Sequence, residues 1–543
     1  MPAPARRALS GVGERRSLLG IAGVVGVATA LSKGLGLARS MAVAAVFGVG
    51  AVADAFAFAT MLPGFFLVVL GGQNGPLQSA LVSVLSQDEG LDQQRLIGWA
   101  QRGLTLVLLP LSLGIVLAAG PLLELLAPGL SDETRQLAVL QLRWMAPIVL
   151  LSGWIGVAMA RLISAGVYAI PSLSPMLSSA AVIAAAAVAM AQGRWFTPGS
   201  PTWMAAASRT LALGMVLGAL LQWLLQQLAM GRLPRAAEPA PPRPAGTNRP
   251  AAEAKRKVLA LLAPATLTTA LGSANATVDL IFASYLPGVA AALGYAEVLV
   301  QAPRGWVASM LLVPLLPAIA RQAAQGEPAQ LRERVTLALR LTGFVAVPLA
   351  ALVAALAEPM VATLYQRRAF DPESTRQVAG LLLIYGIGIV PSLVRDVMVR
   401  VFYGLGDGAT PFRVGLASVV LNVVLDAALV QRFGAPGLVL ASVGVNLFAA
   451  LLLAIALERA LGGIAWWSLS GDLLAKTLAG LLAALAAWSL WQMGGVLPQS
   501  EAFPMALLRL AAAGAAGALT FLAVARLLGI RDGERILRGR TSG

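Results

Sequence analysis

The 543-residue sequence has no cysteine and no histidine. Without thiols there are no disulfides, thiolate metal sites or haem attachments, and without imidazoles there are no histidine ligands and no histidine proton relays. Charge is scarce as well. Only 12% of the residues are charged, about half the share found in soluble globular domains. Acidic residues are the rarer sign, 25 against 40 lysines and arginines, which leaves a net charge of +15.

Apolar residues fill the space: 58% of the chain is hydrophobic and the mean hydropathy is +0.79. Runs of about 20 apolar residues recur along its length, each long enough to cross the hydrocarbon core as a helix. The fold class read from this is an all-α polytopic membrane protein. A charge of +15 would point to nucleic acid in a soluble chain. Here the basic residues gather in loops and tails, where cytoplasmic topology and anionic headgroups account for them, and no basic nucleic-acid-binding fold is visible. Nucleic acid is therefore excluded as a partner.

About fourteen spans are expected. Residues 1–230 read as an N-terminal bundle of six helices, and 231–257 as a Pro-rich basic linker. Residues 258–460 read as a second six-helix bundle, pseudo-symmetric with the first, and 461–543 as two additional helices with a basic tail. Both termini and the linker share the basic side, which places them in the cytoplasm. The basic N-terminus followed by an apolar run imitates a signal peptide, yet the run continues into a hairpin without a cleavage site. A shift of 240 residues lays Gly48 on Gly288, Ala51 on Ala291 and Pro63 on Pro303, and puts Arg39 opposite Asp279. Duplicated bundles of this kind in transporters place substrate sites between the halves.

Residues 31–63 hold Lys33, Arg39 and Asp54 inside stretches apolar enough to span. Each charge costs about 2.5–3.5 kcal/mol at the centre of a lipid-facing helix, so these side chains are expected to face a watered cavity. Arg39 offers a fork of donors to phosphate or carboxylate, and Lys33 a point charge. On a continuous helix they would lie on different sides, but Gly34 and Gly36 permit a break that turns both inward. The alternative is that Lys33 snorkels to an interface while Arg39 only neutralises Asp54.

The pattern S-K-x-x-G-x-x-R at Ser32–Arg39, then F-G, D-A-F and L-P, together with F-Y-G-L-G-D-G-A-T-P at 402–411, resembles the MurJ/MviN lipid II flippases of the MOP exporter superfamily. The resemblance extends over the whole chain. It implies a MOP/MATE-like architecture in a bacterial cytoplasmic (inner) membrane, lipid II as the transported partner, surrounding membrane lipids, and cell-wall synthesis proteins as further partners. It implies no cofactor, and it carries functional roles onto Ser32, Lys33, Arg39 and Asp54. Lys33 stands where the family more often has Arg. After L-P the family has Asn and an Arg pair where this chain has Gly64, Leu67 and Val68, and its Asp-Arg in the eighth helix corresponds here to Glu297-Val298. Arg304, beside Pro303, is the candidate to restore part of that charge, or else an interface anchor. The resemblance also implies that the last two helices border a groove for a polyprenyl tail.

A second constellation lies in the other half. Asp279 falls in the seventh helix, Asn422 and Asp426 share a face of the eleventh at i,i+4, and Ser442 falls in the twelfth. These hard oxygen donors suit a small cation such as sodium, or a proton, whereas transition metals want nitrogen or sulfur. The alternative is mutual hydrogen bonding between helices with one carboxyl protonated. The segment 402–411 lacks a P-loop lysine and reads as a tight cytoplasmic turn. The expected activity is outward translocation of lipid II by alternating access. The alternatives are export of another lipid-linked oligosaccharide, a MATE-like drug or cation antiporter, or a membrane-embedded polyprenyl-phosphate glycosyltransferase.

Overall fold

A computed structural model describes residues 26–72, 75–86, 93–232, 249–307, 319, 321–323, 328–494, 502–530 and 532. It divides into two compact units. The first comprises residues up to Ser273 other than 47–50, and the second comprises Phe47–Gly50 with Ala274 onward. The first unit holds α1, Gly26–Phe47, apart from its last residue, and α2 Ala51–Ala59, followed by α3 Met61–Phe66, a π-turn at Leu67–Gly71 and α4 Pro76–Leu85. Then come α5 Gln93–Leu117, α6 Ala119–Leu126, α7 Asp132–Met145, α8 Pro147–Ser164, α9 Ala169–Leu173, α10 Pro175–Gln192 and α11 Pro201–Gly231. Helix α12, Arg249–Ala283, runs across the division.

The second unit continues with α13 Val289–Val307, α14 Pro328–Ala355, α15 Ala357–Tyr365 and α16 Pro372–Gly404. It ends with α17 Ala409–Phe433, α18 Ala435–Leu461, α19 Trp466–Met493 and α20 Phe503–Leu527. Among the described residues twelve helices are long and apolar enough to span, thirteen if the pair Ala51–Ala59 and Met61–Leu85, bent by 42°, counts as one. The expected count of about fourteen is not reached there. The eighth expected span, near 290–320, is helical over Val289–Val307, and residues 308–318 and 320 lie outside the described set. The expected linker, 231–257, falls only partly within the described residues. Residues 233–248 lie outside the described set, but 249–257 form the first turns of α12, because Ala, Glu and Lys there favour helix.

The 240-residue repeat has a backbone counterpart. Gly48 and Gly288 both have positive φ, +56° and +80°. A Cβ on Gly48 would stand 2.4 Å from the Ala369 carbonyl oxygen, so both conformation and space require glycine. The same offset relates Gly166 to Gly406, at φ +79° and +80°. Gly166 donates to Ile163 O and Val167 to Leu162 O, and Gly406 donates to Tyr403 O and Asp407 to Phe402 O. Both are the paired bonds of a left-handed helix C-terminus, placed identically in each half.

Packing follows membrane rules. Helices α19 and α20 bury Ala479, Gly480, Ala483, Ala487, Ala513 and Gly517 against their neighbours, while Leu474, Leu481, Leu485, Leu508 and Leu519 are exposed. Small residues allow close backbone approach, and the leucines suit lipid. Within this pair Lys476 is fully buried. Its Nζ lies 2.5 Å from Asp472 Oδ2 and 2.7 Å from Asp532 Oδ2, and it donates to the Arg340 carbonyl at 2.8 Å. One ammonium thus ties α19 to α14 and to the segment after α20. Lys476→Met leaves two carboxylates facing each other and is expected to destabilise the protein by about 3 kcal/mol. Thermal unfolding of the purified protein checks this, and adding Asp532→Asn should recover part of the loss.

Candidate functional site

The charges of the first hairpin lie in the first unit. Helix α1 is continuous from Gly26 to Phe47, so the break expected at Gly34 and Gly36 is absent. At 100° per residue, Lys33 and Arg39 are about 120° apart around the axis and about 9 Å apart along it. Gly36 lies between them on the helix surface. Apart from the helix's own nearby backbone and the adjoining residues, no atom of the described residues comes within 4 Å of where a Cβ on Gly34 or Gly36 would stand, nor on Gly64 of α3. Two half-buried cations therefore flank a strip of bare backbone.

Neither Lys33 nor Arg39 makes a hydrogen bond or ion pair among the described residues, so Arg39 does not neutralise Asp54. Asp54 is itself buried in the first turn of α2, where the helix dipole favours a carboxylate. Ser32 is half-buried on α1 beside Lys33.

In the second unit the structure brings together all four residues of the other constellation. Asn422 Nδ2 lies 2.7 Å from Asp279 Oδ1, 3.1 Å from Asp426 Oδ2 and 3.4 Å from the Asn275 carbonyl. Ser442 Oγ donates to Asp279 Oδ2 at 2.7 Å. Asn422 and Asp426 are fully buried. Helices α12, α17 and α18 each contribute at least one group, and the i,i+4 spacing on α17 points its pair at one spot. Three buried oxygens, Asn275 Oδ1, Asn422 Oδ1 and Asp426 Oδ1, have no hydrogen-bond partner among the described residues. Carboxylate, amide and hydroxyl oxygens are the kind of donor that small hard cations take. Asn275 was not legible beforehand; its i,i+4 spacing from Asp279 is the signal that would have found it.

Arg304 lies near the end of α13, with Nη2 3.8 Å from Asp396 Oδ2 on α16. Asp396 in turn holds Arg395, which also donates to Asn446 Oδ1 on α18. None of Arg395, Asp396 and Asn446 stood out in the sequence, although Arg-Asp inside an apolar run is an intramembrane ion pair by the same argument that selected Arg39. Glu297, where the family has Asp, sits on the Arg304 face of α13 two turns away.

Within the 402–411 segment, residues 405–408 form the turn between α16 and α17. Asp407 accepts from the Thr410 hydroxyl at 2.6 Å and from the Thr410 and Ala409 N–H groups at 3.0 Å each. The Thr410 hydroxyl, then these N–H groups, hold its carboxyl below the usual carboxylate range. Donors that a phosphate cradle would need are already used.

The family model "Lipid II flippase MurJ" matches residues 43–507. The chain belongs to the MurJ family. A probable lipid II flippase MurJ of Synechocystis sp. is 40% identical over 485 residues, covering 88% of this chain and 89% of the relative. One from Bdellovibrio bacteriovorus is 28% identical over 542 residues, covering 97% of each. Among solved structures, a lipid II flippase MurJ in an inward closed conformation superposes with a TM-score of 0.73 at 20% identity, over 93% of this chain and 98% of that one. An inward-facing MATE-family multidrug transporter of the MOP superfamily gives 0.60 at 14% identity, over 79% and 94%. The fold is that of these solved transporters, and by its family the chain is a multi-pass membrane transporter rather than an enzyme.

Proposed function

We propose that this MurJ-family protein moves lipid II from the cytoplasmic to the outer leaflet of the bacterial inner membrane by alternating access. The observation that carries the reading is the pair Lys33 and Arg39 on α1, cations within an apolar span, without internal partners among the described residues, beside a glycine strip that leaves room for a ligand. A pyrophosphate headgroup needs such cations, because hydrocarbon otherwise blocks its passage. Arg39 grips by bidentate hydrogen bonds, Lys33 supplies charge about one and two-thirds turns away, and Ser32 adds a hydroxyl. A drug-cation antiporter would want the opposite sign at this place.

The Asp279, Asn422, Asp426 and Ser442 cluster takes a sodium ion or a proton that drives return of the empty carrier. Its unpaired buried oxygens support this over a purely adhesive role. Expression in a host depleted of its own lipid II flippase tests the main reading: growth and outer-leaflet lipid II are expected to be sustained, and lysis at full expression would refute it.

Both termini and the linker lie in the cytoplasm in this reading. The chain has no cysteine, so single cysteines report topology cleanly. Trp195→Cys, in the exposed turn between α10 and α11, is expected to react with an impermeant thiol reagent in intact cells, and Arg232→Cys is not. The reverse pattern would invert the topology.

A further inference from the structure

Asp396 stands between two arginines and engages them unequally. Its Oδ1 accepts from Arg395 twice, from Nη2 at 2.6 Å and from Nε at 3.1 Å, whereas its Oδ2 lies 3.8 Å from Arg304 Nη2. The first contact is a charge-assisted hydrogen bond; the second exceeds hydrogen-bond length and is Coulombic only. Arg395 is further fixed by Asn446, whose Nδ2 donates to the Ser442 carbonyl at 2.7 Å. Asp396 is therefore anchored to α16 and α18 and cannot follow Arg304. The side chains of Arg304 and Asp396 stay 36% and 29% exposed, and Arg304 makes no hydrogen bond among the described residues.

We propose that Asp396 is an internal counter-anion, which neutralises Arg304 in the unloaded carrier and yields it when a substrate phosphate arrives. An unpaired guanidinium is costly inside the membrane, so the empty carrier needs a counterion for Arg304. A counterion locked on by two hydrogen bonds would shut the substrate out. The 3.8 Å contact lies between these extremes. A phosphate replaces it with hydrogen-bonded, bidentate contact to the guanidinium, while Arg395 retains Asp396 and keeps that carboxylate from being left unpaired. Arg395 and Asn446 are positioning residues here, and Asp396 sets how tightly the anion is held. The inference rests on the flippase reading above.

The test uses the purified full-length protein, with undecaprenyl pyrophosphate as anionic probe and undecaprenol as its neutral control. Asp396→Asn preserves volume and is expected to tighten pyrophosphate binding roughly fivefold, to leave undecaprenol binding unchanged, and to lower the maximal flipping rate. Tighter ground-state binding without an equal gain at the transition state slows turnover. In an Arg304→Gln background the same change should alter affinity by less than about twofold. Asp396→Glu, one methylene longer, reaches Arg304 and is expected to weaken pyrophosphate binding, and it carries the test if Asp396→Asn does not fold. Unchanged or weaker binding in Asp396→Asn, equal tightening without Arg304, or no weakening in Asp396→Glu would overturn the proposal alone. Failure of the parent protein to bind the pyrophosphate would overturn the flippase reading and this inference together.

Discussion

Replacing Arg39 or Asp54 with alanine is expected to abolish complementation of a flippase-depleted host while membrane levels stay near those of the parent. Arg39 has no ion pair among the described residues, so its removal breaks no internal network, and lost function then reports lost contact with substrate. Truncating one partner of a desolvated charge pair costs about 3 kcal/mol, on the order of a hundredfold in transport. Asp54 differs because it is buried at the start of α2. Its loss removes a carboxylate from a helix N-terminus where it is favoured, so Asp54→Asn should accompany Asp54→Ala to separate charge from shape. Lys33→Arg is expected to be tolerated, since it keeps the charge and gives the residue more usual in the family. Growth at normal expression by both alanine variants would remove this hairpin from the substrate path.

Much of this was legible in the sequence, and the exceptions have physical causes. Apolar runs announce spanning helices because lipid demands internally satisfied backbone, and the 240-residue offset aligned Gly48 with Gly288, both of which have positive φ. The i,i+4 pair Asn422 and Asp426 announced one face, and Asp279 and Ser442 meet it. The break that Gly34 and Gly36 permit does not form. Glycine permits a kink but does not compel one, and here the glycines clear space instead. Lys476 escaped notice because the last two helices look nearly charge-free, yet Asp472 four residues earlier is its partner. Arg395 and Asp396 were hidden by their adjacency: neighbours in sequence point to different sides of a helix, and only α13 and α18 packed around α16 bring Arg304 and Asn446 to them.

Sodium is expected to raise the thermal stability of the purified protein, and Asp426→Asn is expected to erase most of that gain. Asp279 and Asp426 share one amide, that of Asn422, and both carboxylates ionised at this distance repel unless a positive charge joins them. An ion that binds only the folded state stabilises it by about 2.7 kcal/mol at one hundred times its dissociation constant. The comparison needs sodium against choline at constant ionic strength, so that screening of surface charges cancels. A site that takes a proton instead would give sodium-independent stability and a pH-dependent change that the same variant removes. Asn275→Ala separates these two cases. It removes a buried, unpartnered oxygen one turn from Asp279 on α12, and if that oxygen joins the site the change weakens sodium binding but leaves protonation of the carboxylates nearly untouched. If Asp279→Ala and Asp426→Ala both transport normally, and neither sodium nor pH distinguishes them from the parent, the cluster serves only to hold α12, α17 and α18 together.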